Sequence, residues 1–432
     1  MARSTGSSAH PKEMYLLALT EMCQRFAFWG IANLLVLYLV QNQKFTDTAA
    51  DTLFGLFTGV AFVLPVVGGY FSDKFNYRLP VIWGILLTAA GCFLFSTGSL
   101  PLIYISLALV ALGAAVFTPS IYALLGSLYH HQHHLRDGGF SIYYSAVNIG
   151  AFVAMVSLGA LGQAKHWHFA FFLAGVVQLF ALVFFKWALQ NPDLLEASKI
   201  REKLKGKKQA PLHRHEWSRI LVICILSFFS ILFWMAYNQG GSSLNLFALR
   251  FTDRSVFGME IPPVWLLSSE TLYLILFAMP LSLLYVYLTK KKMNPTPIVK
   301  SALSLTSMGI CFLIMVIASW HIPSGAHSGS VSPFYLLFAY AFMALGEMLI
   351  APIGLSLITH LSPHRFTALL VGVWYLCIGI AFYLGGIIAP WMSKLKEMSQ
   401  FFNLFVIASF VSAALLFLVA KKLDKMRHLK TL

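Results

Sequence analysis

The chain has 432 residues, of which 58% are hydrophobic and only 11% charged, and it carries 37 Phe and a formal charge of +15. So much apolar surface exceeds what one soluble core can bury, and the charged share is less than half that of an ordinary globular domain. This excludes a soluble enzyme, a disordered chain and a nucleic-acid-binding domain, and predicts a polytopic membrane protein.

Twelve apolar runs each reach the length of about 20 residues that a helix needs to cross a bilayer. In chain order they are 14–40, 53–71, 79–97, 102–125, 140–162 and 167–190, then 218–247, 263–289, 298–319, 333–358, 366–391 and 400–420. The runs are continuous, without the polar alternation of a barrel, and hydrocarbon offers no partners to open backbone groups. The predicted fold is therefore all-α, with twelve transmembrane helices in two six-helix bundles, residues 1–190 and 218–432. The least apolar internal stretch, 191–217, holds KIREKLKGKKQ and reads as a solvated linker between them.

Sorting Lys and Arg by connection leaves only Lys44, Lys165, Arg250, Arg254, Lys394 and Lys396 on one side of the membrane and 24 on the other, with Arg25 inside a span. Basic loops stay cytoplasmic, so both termini are expected inside, in a plasma membrane. The positive charge then reports topology, with anionic lipid as sufficient partner and no nucleic acid. The first run carries Glu21 and Arg25 and has no small-residue cleavage site after it, unlike a signal peptide. Cys23, Cys92, Cys224, Cys311 and Cys377 fall inside runs without CxxC spacing and read as packing residues, neither disulfides nor a zinc site. No cofactor is called for. HHQHH at 130–134 sits in a cytoplasmic loop without acidic or cysteine partners, so a metal site is not expected there.

Of the sixteen acidic residues, Glu21, Glu270 and Glu347 are read as lying well within spans. A charge in lipid costs at least about 2.5 kcal/mol on insertion scales, so these three should be paired or face a polar cavity. Glu21 and Arg25 are four apart on one helical face, acid before base. They form either a structural ion pair or a switch that protonation or substrate releases. Glu347 precedes Pro352 in span 10, where a proline frees backbone groups beside a cavity, and a carboxylate there suits an ammonium. Glu270, after two serines, is either a hydrogen-bonded neutral acid or a substrate or proton group. GGYFSDK places Asp73 near Lys74 and Arg78, a pattern better suited to a conformational latch than to a binding site.

Faint similarity relates the halves: GAAVFTP and GEMLIAP each put Gly six residues before Pro, ending at Pro119 and Pro352. A repeat of this kind is what rocking carriers use, with the proline positions expected to serve gating. Aromatic runs open each half, FAFWG at 26–30 and FWMAY at 233–237. Packing is their default role, but Phe28, Trp29, Trp234 and Tyr237 lie beside Arg25 and the polar run NQGGSS, so they are candidate pocket residues.

RDGGFSIYYSAVNIGAF at 136–152, with LFGLFTGVAFVLPVVGGYFSD before it and QGGSSLNLFA, IPPVW, GEMLIAPIGLS and GVWYLCIG after it in order, resembles the proton-dependent oligopeptide transporters of the major facilitator superfamily. The resemblance implies a major facilitator fold and peptide transport, with Asn148 and Trp374 shaping the pocket and Glu347 receiving a peptide amino terminus. The departures fall on the chemistry. E-x-x-E-R is Glu21, Met22, Cys23, Gln24, Arg25, so the second acid is an amide. The lysine before Pro119 is Thr118, the acid before Gln239 is Asn238, and a second arginine gives way to Ala32 and Asn33. Pocket tyrosines read Phe28, Trp29 and Phe62, and Glu270 stands where the family usually has Asn.

Three acids against one arginine favour a cationic cargo. The expected function is secondary transport of short peptides or peptide-like amines by alternating access, with Glu21, Arg25 and Glu270 available for proton coupling, acting as a monomer. The alternatives are a facilitator, exchanger or exporter of small amines without protons, and a membrane sensor that binds ligand without moving it. An enzyme is not expected, since no nucleophile–base pair, HExxH or metal constellation falls in any span.

Overall fold

In a computed structural model the described residues are 10–68, 77–129, 136–191, 194, 214–256, 258–361 and 367–427. Twelve helical stretches among them are long and apolar enough to cross a membrane, as the sequence predicts. The first six are α1 (Lys12–Gln41), α2 (Asp47–Val63), α3 (Arg78–Phe95), α4 (Leu100–Leu128), α5 (Arg136–Gln163) and α6 (Trp167–Ala188). Next comes α7 (Arg214–Tyr237), which passes through a 3-10 turn at Asn238–Gly241 into α8 (Ser243–Phe251). The last spans are α9 (Pro263–Lys290), α10 (Pro297–Ser319), α11 (Pro333–Leu361), α12 (Thr367–Ile388) and α14 (Met398–Met426), with a single turn, α13 (Trp391–Lys394), before the last.

Three local features differ from the expected pattern. Span 7 is not one helix but α7 and α8 around the NQGG turn, where two glycines and an Asn weaken helical propensity. A hairpin of β1 (Ser255–Val256) and β2 (Met259–Glu260) turns on Gly258 at φ +77, which glycine adopts freely. Among the described residues this hairpin and a bridge between Thr252 and Val331 are the only strand pairings. Finally, α2 begins at Asp47, six residues before the apolar run, which draws Asp51 into the buried part of the span.

The contacts divide the chain into two compact units, residues 1–31 with 64–209 and residues 32–63 with 210–432. In the first, α3 packs along α4 and α6, around a core that includes Leu17, Ile85, Phe117, Leu124 and Phe185. Pro119 lies inside α4 and cannot donate to the carbonyl of Ala115, and that freed carbonyl is where the backbone at Gly68 comes closest.

In the second unit α10 packs on α11 and α14 through stacked Phe312 and Phe405, centroids 4.6 Å apart. There α2 lies against α12. A Cβ on Gly55 would stand 2.5 Å from the Cα of Gly386, so the two backbones touch without side chains between them, the way small residues bring membrane helices together.

Candidate functional site

The first unit holds a buried polar chain on α1. Glu21 has no exposed surface; Arg25 Nε donates to its Oε1 at 2.6 Å and the hydroxyl of Tyr143 on α5 donates to its Oε2 at 2.6 Å. Tyr143 reaches it because α5 presses on α1 at Gly150, where any Cβ would strike the carbonyl of Met22. One turn along, Gln24 donates to Thr88 Oγ1 at 3.2 Å and accepts from Gln178 Nε2. The amide at 24 is therefore built into three helices. Phe28 is buried edge-on against half-buried Trp29, centroids 5.2 Å apart, and Asn148 donates to the carbonyl of Tyr144 in its own helix.

The second unit holds two acids in contact. Glu270 on α9 is 3% exposed, and its carboxyl comes within hydrogen-bonding reach of that of Glu347 on α11. Thr271 Oγ1 donates to Glu270 Oε2 at 3.2 Å and the Tyr237 hydroxyl reaches Glu347. Trp234 packs edge-on against Phe233, Tyr237 and Phe382, with its indole N–H buried and unbonded among the described residues. Phe62 meets Phe382 at 4.7 Å, and Trp374 is buried on α12.

Asn238, expected as a pocket contact, is buried with its amide nitrogen engaged by backbone. Its Nδ2 donates to the Phe382 carbonyl at 3.0 Å, and Gln239 donates in the same way to Gly385 at 3.1 Å, so both amides tie α7 to α12. A carboxylate at 238 would face that carbonyl with no proton to offer. Asn238→Asp should lower stability by about 1–3 kcal/mol, the cost of a buried group left without its bond. Chemical unfolding in detergent reads this, and an unchanged midpoint would show that the amide bond carries no weight.

The sequence reading missed a cluster at the end of this unit where α2 begins. Arg250 on α8 holds Asp47 with two bonds of 2.5 and 2.7 Å, and Ser393 adds a third at 2.9 Å. Asp51 lies one turn further in, 1% exposed, with Oδ1 unbonded among the described residues. The apolar run opens only at 53, and the polar residues 47–52 hide the start of α2. A cavity of about 340 Å³ opens beside Arg250, lined also by His327, Lys396, Glu397 and Ser393.

Among the gating candidates, Asp73 and Lys74 lie outside the described residues, as does HHQHH; Arg78 opens α3 and Pro352 falls within the backbone of α11. Cys23, Cys92 and Cys311 are buried, Cys377 is half-buried, and Cys224 is exposed, so it does not serve packing as expected. The described residues contain no group of three or more metal-ligating side chains.

Apolar helices that keep paired acids and an arginine inside hydrocarbon define a multi-pass membrane protein of the carrier type. Residues 17–326 match the Major Facilitator Superfamily, and the chain belongs to that family. It is 28% identical to the peptide transporter YePEPT of Yersinia enterocolitica subsp. palearctica serotype O:3 (strain YE-P4), over 95% of this chain and 94% of that one. It is 25% identical to dipeptide and tripeptide permease A of Escherichia coli (strain K12), over 98% of this chain and 95% of that one. Its fold matches the crystal structure of a peptide transporter, POT, in complex with sulfate, at a TM-score of 0.85 and 24% identity, covering 98% and 96% of the two chains. The expected resemblance to oligopeptide transporters is borne out.

Proposed function

We propose that this protein is a secondary transporter of short peptides or peptide-like amines, moved by alternating access between bundles of residues 1–190 and 218–432. The observation that carries the reading is that Glu270 and Glu347 lie buried together with no cation bearing on them among the described residues, in a chain whose relatives are named peptide transporters. Lone acids are expensive in hydrocarbon, and a pair without a counter-charge suits a cationic cargo. Glu347 is the anchor for the ammonium. Arg25, held by Glu21, is the counter-charge for a carboxylate, released when Glu21 lets go. Protons, if used, act through Glu21, Arg25 and Glu270. The carrier works as a monomer in a bacterial inner membrane with both termini in the cytoplasm, and it returns its cargo chemically unchanged.

The test is competition. In proteoliposomes, uptake of labelled dialanine should be blocked by unlabelled dialanine and by its carboxyl amide, but not by N-acetyl-dialanine. Equal competition by the acetylated peptide would remove the ammonium anchor from the mechanism.

A further inference from the structure

The contact between Glu270 and Glu347 goes beyond an ammonium anchor. Thr271 supplies a donor to one oxygen of Glu270, and Tyr237 supplies one to Glu347. The remaining oxygens, Oε1 of Glu270 and Oε2 of Glu347, are buried with no donor among the described residues. The Tyr340 hydroxyl, wholly buried on α11 and electrostatically adjacent to Glu270, also makes no hydrogen bond among them. An ionised carboxylate only accepts, so two ionised acids in contact would repel each other and leave acceptors empty. One proton between them supplies the missing donor.

We propose that Glu270 and Glu347 share one proton in the empty carrier, and that the ammonium of the cargo takes the proton's place, so that loading of a cationic substrate releases a proton to water. The proposal rests on the transporter reading and on Glu347 as its anchor. An ammonium brings three N–H donors and competes for the oxygens that the proton joins. Before the exchange the pair carries one negative charge; afterwards two carboxylates and one ammonium again carry one. The net buried charge does not change, which matters where the dielectric is low.

The groups facing the pair are Tyr237 from α7, Thr271 from α9 and Tyr340 from α11, with Cys311 of α10 behind Tyr340. The cation on α8, Arg250, is taken up by Asp47. No described cation bears on either acid, so the competition is between proton and cargo alone.

Calorimetry of dialanine binding to the purified full chain, at one pH in phosphate and in Tris, reads the exchange through the different ionisation heats of the buffers. The wild type should release about one proton per peptide bound, and the two buffers should give the same heat for Glu270→Gln. Buffer-independent heat in the wild type, proton uptake on binding, or release that persists in Glu270→Gln would overturn the proposal. Failure of the wild type to bind dialanine in either buffer would instead overturn the transporter reading beneath it. Infrared spectra of the substrate-free protein decide the shared proton separately. A protonated-carboxyl band should be present in the wild type and lost in both Glu270→Gln and Glu347→Gln; its absence from the wild type, or survival in both variants, contradicts the assignment.

Discussion

Glu347→Gln should lower dialanine uptake at least about 30-fold, because removing one member of a buried charge contact costs about 2–5 kcal/mol of binding. The protein should remain folded. The glutamine can still accept from Tyr237 and can donate to Glu270, which then needs no shared proton. The loss should therefore show in uptake at matched reconstitution, with an unchanged size-exclusion profile. Uptake equal to the wild type would mean that the carboxyl of Glu347 does not meet the cargo.

Arg25→Met should be the most destabilising single change on α1. It leaves Glu21 fully buried, held among the described residues by Tyr143, and breaking such a pair from one side costs about 3–5 kcal/mol. The companion change matters more than the loss. Adding Glu21→Gln removes the stranded charge and lets the amide keep its bond to Tyr143, so the double variant should recover most of the stability. Unfolding midpoints in detergent for both singles and the double measure this. A double variant no better than Arg25→Met would mean that the arginine acts through packing rather than charge.

The spans and the buried acids were legible because continuous apolar runs leave few charges to explain, and Glu21, Glu270 and Glu347 stand out against them. What those acids touch was not legible. Tyr143 lies 122 positions from Glu21, and Gln178 lies 154 from Gln24; no local period reports contacts between helices so far apart. Asp51 escaped because hydropathy marks where a span is apolar, while α2 begins on polar residues, the first of them, Asp47, satisfied by Arg250 of α8 and by Ser393. The turn at Asn238 was visible as a polar run, but the bond of its amide nitrogen to the Phe382 carbonyl, 144 positions away, was not. The amides of Gln24 and Asn238 thus have partners on other helices that no local pattern reveals.

The central claim is that these buried charges serve cargo that crosses the membrane through this chain. Counterflow tests it most directly. Proteoliposomes preloaded with unlabelled dialanine and diluted into a trace of labelled dialanine should accumulate label transiently above equilibrium, with no ion gradient imposed, and Glu347→Gln should abolish the overshoot. Label that only equilibrates at the rate of empty liposomes, with a wild-type protein that still binds dialanine, would show a receptor rather than a carrier.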